Sequence, residues 1–262
     1  MRQVIYIWVL ILSGIAMDGA KGQAIRWHSS FEEKVFTQWT DSSGKGLADF
    51  FAADPVITDS LFLQKESELT LVCSQLAKKR KKFLAESQFL YYVFKQVHKR
   101  YLYHYQPYPL FTSLQDSTYN CVSGTALYAW ILGKLGFSTE IREMNRHVYL
   151  RVHTVRSTYL IDATDPDNGF VSDDEMLISR RELWYASNEI TQARPCNKII
   201  TLSNLAGLQY FNEAVKAFNR GTYEKCMQLL NKATILYPGS DKIANLQSMT
   251  QKQLPSVVAR VK

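Results

Sequence analysis

The chain has 262 residues, 46% apolar and 21% charged, a balance that excludes a disordered chain and allows one large domain or two smaller ones. Aromatic residues at 13% supply material for a sizeable core. The formal net charge of +7 would suit an anionic polymer or membrane surface, but no nucleic-acid motif accompanies it, so nucleic acid is not an expected partner.

Met1-Arg2-Gln3 carries a positive charge, Val4–Met17 is apolar, and small residues follow. This tripartite order predicts a secretory signal peptide over residues 1–24. The apolar run of about 14 residues is short of the roughly 20 that span a bilayer. Gly14-Ile15-Ala16 and Gly22-Gln23-Ala24 both fit a small-x-small cleavage site, and the second is favoured because a polar stretch precedes it. The expectation is an exported chain, periplasmic or secreted, with no stable membrane span after cleavage; an uncleaved signal anchor is the competing reading.

From about residue 29 to 105 the pattern is mostly helical. Phe31–Trp39 has helical spacing, and Ser42-Ser43-Gly44 reads as a break. Asp54-Pro55 and Thr58-Asp59-Ser60 are turn or cap signals. The stretch from Ser67 to Tyr103 predicts two helices, the second over Ser87–Leu102. The run Lys78–Lys82, KKRKK, falls in the first and reads as a solvated helix face.

A different block follows. A helix from Cys121 to Lys134 ends at Gly136, a C-cap position. STEIREM, HVYLRVHTV and STYLIDAT are three strand-like runs, the last two forming an antiparallel hairpin about Arg156. Helix followed by antiparallel strands predicts an α+β fold. Residues 25–200 are therefore one α+β domain with a helical N-terminal part, and 201–262 a helical tail. In that tail NRGTYEKCMQLLNKATILYPGS resembles the second half of a tetratricopeptide repeat, with GLQYFNEAVKAF as its first helix and Asp241 opening a capping helix. A lone repeat cannot bury its own face, so it should pack on the α+β block.

Four cysteines, Cys73, Cys121, Cys196 and Cys226, would allow two disulfides by count in an exported chain. Their spacing is irregular with no CxxC pair, so no metal site is expected. Cys73 reads as core, Cys226 fills a close helix contact in the repeat, and Cys196, in ARPCNK, is the plausible bridge partner. Cys121 is different. A thiol becomes a nucleophile with an adjacent imidazole and a third group orienting that imidazole. Cys121 opens a helix, where unpaired N–H groups favour negative charge. His147 opens the first hairpin strand and Asp162 closes the second, and an antiparallel hairpin brings those two ends together. His153 lies near the far, turn end of the hairpin, and Asp165 reads as a turn residue before Pro166.

YNCVSGTALYAWILGKLG, HVYLRV and LIDATDPDNGF together resemble the transglutaminase-like, papain-like cysteine superfamily, in particular exported bacterial members with a tetratricopeptide tail. The resemblance covers about residues 85–175. It implies a core in which the cysteine-bearing helix packs on a small antiparallel sheet. It also implies a triad with Cys121 as nucleophile, His147 as general base then acid, and Asp162 orienting the ring. Where an aromatic often follows the histidine by one residue, this chain has Val148-Tyr149. Gln115, six residues before Cys121, has the spacing of the oxyanion glutamine in papain-like proteases; Tyr119 and Asn120 are near enough to serve, and Asn120 equally suits a helix cap.

The function implied is cleavage or transfer of an acyl group at a peptide or amide bond, without cofactor or metal. The substrate would be a peptide, a protein or a cell-envelope polymer, and the C-terminal helices offer a surface for a protein partner. The rival reading is an inactive envelope scaffold that uses the tail to bind proteins.

Overall fold

A computed structural model describes residues 25–38, 42–172, 175–187 and 197–254; the expected signal peptide and Cys196 lie outside them. The N-terminal part is four helices: α1 (Ser30–Thr37), α2 (Ser42–Phe51), α3 (Asp59–Arg80) and α4 (Glu86–Tyr101). Ser29 and Thr58 cap α1 and α3 by accepting from the Glu32 and Leu61 amides, which satisfies one orphan donor of each first turn. Ser42-Ser43-Gly44 does not break a helix but begins α2. Gly46 in the same helix is required by packing, because a Cβ there would meet Leu202 Cδ2 at 2.7 Å. The basic run at the end of α3 is exposed, as a solvated face should be.

Short strands β1 (His104–Tyr105) and β2 (Thr118–Tyr119) pair in parallel across a 3-10 turn, Phe111–Asp116. Helix α5 (Cys121–Lys134) follows and ends as the sequence predicts, with Gly136 at φ 83°. It is buried on nearly every side from Val122 to Leu132, as expected for an apolar central helix rather than an amphipathic surface one.

One face of a five-stranded antiparallel sheet packs on α5. Its strands are β3 (Ser138–Glu143), β4 (Val148–His153), β5 (Thr158–Ile161), β6 (Phe170–Val171) and β7 (Lys198–Ile200), in the order β6-β5-β4-β3-β7. The three predicted strands are present, and the hairpin register sets Leu150 opposite Ile161 and His153 opposite Thr158. Side chains alternate between faces. Val148, Leu150, Val152 and Ile161 join the main core, whereas Tyr149 and Leu160 join a second cluster with Ile178 and Tyr185 of α6 (Glu175–Ser187). Neither α6 nor β7 has a sequence pattern strong enough to announce it.

The tail is α7 (Leu202–Asn219), α8 (Tyr223–Leu236) and α9 (Asp241–Gln253), with Gly221 at φ 72° between the first two. Cys226 and Ala214 are fully buried at the helix contacts. The tail packs on the rest of the chain, and its buried residues share one cluster with those of α1–α5 and the sheet. Gln209 of α7 ties three elements together: its Oε1 accepts from the Phe111 amide at 2.7 Å, and its Nε2 donates to the Phe50 carbonyl at 2.9 Å. Among the described residues no helix is long and apolar enough to cross a membrane.

Candidate active site

Cys121 is the first residue of α5 because Asn120 caps it. The Asn120 side chain accepts from the Ser123 amide at 2.9 Å, and Ser123 Oγ accepts from the Asn120 amide at 3.0 Å. This reciprocal capping box fixes the first turn. Asn120 Nδ2 also donates to the Pro107 carbonyl, so this side chain is fully used in holding the helix start.

His147 closes the turn between β3 and β4, where the Met144 amide donates to its carbonyl at 2.8 Å. Asp162 leaves β5 and enters a tight loop. Its amide donates to the Gly169 carbonyl at 2.7 Å, and the Gly169 amide donates to the Asp165 carbonyl at 2.8 Å. A Cβ at Gly169 would lie 2.2 Å from the Asp162 carbonyl oxygen, so glycine is required there by contact. Gly124 on α5 has a parallel role: a Cβ would meet the Ala163 Cβ at 2.7 Å. Its absence lets the helix carrying Cys121 approach the strand end carrying Asp162.

The result is a Cys–His–Asp cluster. His147 Nε2 lies 3.2 Å from Asp162 Oδ2, with the two side chains 20% and 4% exposed, and Cys121 is a neighbour of the ring that favours its protonated form. The Nε2–Oδ2 contact is an ion pair whose angle is not that of a well-aligned hydrogen bond. Burial alone would lower the His147 pKa, but Asp162 and Cys121 beside the ring outweigh it and hold the imidazole up at about 10. Burial pushes the Asp162 carboxyl the other way, yet His147, the Tyr185 hydroxyl and the Thr164 amide keep it well below the usual carboxylate range.

Asp162 has little freedom. Oδ1 accepts from the Thr164 amide at 2.9 Å and the Thr164 hydroxyl at 2.7 Å, and Oδ2 accepts from the Tyr185 hydroxyl at 2.6 Å. The Tyr185 ring lies 4.8 Å from that of His147 and 5.1 Å from that of Tyr149, so α6 covers the ion pair from behind. Tyr149, the aromatic two residues after the histidine, is buried and donates to Glu182 at 2.7 Å. His98 of α4 braces the same strand end. Its Nε2 lies 3.1 Å from the Ala163 carbonyl, and its Nδ1 lies 3.2 Å from the Phe94 carbonyl and 2.7 Å from the Tyr128 hydroxyl. Burial lowers the His98 pKa, consistent with a neutral ring.

Two clefts meet at His147. One, of about 340 Å³, is lined by Tyr105, Cys121, His147 and Val148, with Leu208, Phe211 and Val215 of α7 as its wall. The other, of about 430 Å³, is lined by His147, Asp162, Thr164, Arg181, Trp184 and Tyr185. Gln115 is not brought to the thiol: it is exposed on the 3-10 turn and lines a separate cavity with Asp54, Arg100 and Tyr101. His153 pairs with Glu140 at 3.6 Å, away from the cluster. Asp165 accepts from the Asn168 amide and pairs with Arg181 at 2.8 Å; both are structural. Cys73, Cys121 and Cys226 are free thiols, and burial pushes the Cys73 thiol up to about 11. No group of three or more His, Cys, Asp or Glu placed to hold a metal ion occurs among the described residues.

Tyr185, His98, Gly124 and Gly169 escape sequence reasoning. A tyrosine on an unremarkable helix, or one glycine among twelve, carries no local mark of its partner. Only the glycine in ATDPDNGF stands in a stretch already flagged as a turn.

Protein-family models, curated proteins and solved structures were each compared with the chain, and none matches it. Its class therefore rests on its own geometry: an α+β fold in which a capped helix start, a hairpin mouth and a strand end assemble one Cys–His–Asp cluster.

Proposed function

We propose that this chain is a thiol enzyme of the transglutaminase-like kind, exported, which cleaves or transfers an acyl group at an amide bond. The observation that carries the reading is the buried His147–Asp162 ion pair interacting with the thiol at the start of α5. An imidazolium beside a sulfur at a helix N-terminus is the arrangement that makes a thiol nucleophilic. The apolar segment Val4–Met17 supports export.

In this mechanism the proton has already passed from the Cys121 sulfur to His147, and the sulfur anion paired with that imidazolium attacks the substrate carbonyl. The C=O bond becomes a C–O⁻ single bond as the S–C bond forms. His147 then returns the proton to the leaving nitrogen as the C–N bond breaks, leaving an acyl-thioester. Water, losing a proton to His147, releases an acid; an amine in its place gives a new amide. Either outcome regenerates the thiol.

The oxyanion needs donors. The Cys121 N–H lies in a first turn, where helical amides have no intrahelical acceptor. The second donor is assigned to the Tyr105 hydroxyl, which lines the Cys121 cleft and, as a phenol, is protonated at neutral pH and able to donate. This replaces Gln115.

The test is a panel of peptide amides, esters and cell-wall muropeptides, offered to the wild type and to Cys121→Ala. Mass spectrometry would look for an acyl adduct on Cys121. Turnover by the wild type alone, with the adduct, is the expected result; equal turnover by both proteins would end the proposal.

A further inference from the structure

Arg146 immediately precedes His147, is exposed, and borders both clefts that meet at that histidine. The other cations around the site are neutralised. Arg181 pairs with Asp165 at 2.8 Å, and Lys242 pairs with Glu143 at 2.8 Å and donates to the Met144 carbonyl. No described acidic side chain is in ion-pair contact with Arg146. A guanidinium is charged at every working pH, so the cleft beside the nucleophile presents a fixed positive charge that, among the described residues, no acidic side chain pairs. The same cleft is lined by Leu208, Phe211 and Val215 of α7.

We infer that Arg146 is a substrate-recognition residue that binds a carboxylate. The substrate is then an amide carrying a free carboxylate close to the scissile carbonyl, with an apolar side chain against α7. This rests on the thiol-enzyme reading above and adds a substrate class to it. A cationic substrate would be repelled, and a neutral one would bury the arginine without an acceptor. The planar guanidinium fork matches a carboxylate with two parallel hydrogen bonds. The cleft volume of about 340 Å³ suits a small acyl group rather than a folded surface. The position is firm because Lys242, Glu143 and the Met144 carbonyl lock the turn that carries Arg146 to the tail.

Iodoacetate and iodoacetamide test this without knowledge of the natural substrate. Each alkylates a thiolate by forming an S–C bond as iodide leaves, and they differ by one carboxylate. Rates at Cys121 would be followed by peptide mass spectrometry and expressed as an iodoacetate-to-iodoacetamide ratio, relative to a free thiol. The wild-type ratio should exceed the free-thiol ratio by about tenfold, the scale of a charge-assisted hydrogen bond. It should fall at least several-fold in Arg146→Ala and by less in Arg146→Lys, which keeps the charge and loses the fork. An equal ratio in wild type and Arg146→Ala, with Cys121 labelling still dependent on His147, would overturn the carboxylate assignment and leave the enzyme reading standing. Slow labelling by both reagents, indifferent to His147→Ala, would defeat the enzyme reading and this inference with it.

Discussion

At the residue scale the site is governed by opposite shifts on one ion pair. His147 is held up at about 10 against an ordinary 6.5, so its stabilisation is complete below about pH 6.5 and fades as pH rises through 10. Asp162 is held below its ordinary 3.8, so its stabilisation is present above that pH and is lost on acidification. The pair should therefore contribute most between about pH 4 and 6.5. Urea unfolding of wild type and Asp162→Asn at several pH values should show the largest stability gap near pH 5, narrowing toward pH 10. A gap independent of pH would mean that the pair does not titrate with folding. Tyr105→Phe keeps the ring and removes the proposed oxyanion donor. It should lower kcat by about 10²–10³ with KM little changed, the usual size of such a loss. A loss confined to KM would assign Tyr105 to substrate binding instead.

At the element scale the proposed chemistry depends on how closely α5 approaches the end of β5. Gly124→Ala drives a methyl group to 2.7 Å from the Ala163 Cβ, an overpacking change that should cost about 1–3 kcal/mol. It should also reduce Cys121 alkylation, because the helix start and the Asp162 loop are forced apart. Ala163→Gly in the same chain removes the opposing atom and should restore much of both. Thermal unfolding and thiol labelling of the two single variants and the double would check this; strictly additive losses would mean that the contact is not what sets the spacing. Gly169 offers no such rescue, since its contact is with the backbone of Asp162 and Asp165.

At the scale of the whole molecule the tail is a wall and anchor of the site. Lys232 of α8 pairs with Glu32 of α1 at 2.7 Å, with exposures of 4% and 0%. Glu32 also accepts from the Tyr210 hydroxyl of α7 and the His28 amide. Tyr237, at the end of α8, donates to Glu143 beside the turn that holds Arg146 and His147. Lys232→Ala leaves a buried carboxylate short of its cation and should cost about 3–5 kcal/mol. Glu32→Gln combined with Lys232→Met removes both charges and should cost less than the single change. Chemical denaturation should give a single transition in each, since the buried residues of tail and core belong to one cluster. A separate early transition for the tail would show that it folds by itself.

Local features are legible in the chain. Gly136 and Thr58 marked helix ends, period-2 alternation marked β4 and β5, and the order of Cys121, His147 and Asp162 followed from a helix start and a hairpin mouth. Each of these is written within a few residues, by capping chemistry or side-chain alternation. The company those residues keep is set by packing in three dimensions. Tyr185 on Asp162 Oδ2, His98 on Ala163, α7 as the cleft wall, and Gln115 turned to another cavity all depend on elements distant along the chain. Such contacts are selected by packing and by the need to pair buried polar groups, and neither leaves a mark on the residues flanking each partner. So Cys121 could be singled out from the chain alone, while the shape and charge of the cleft it faces could not.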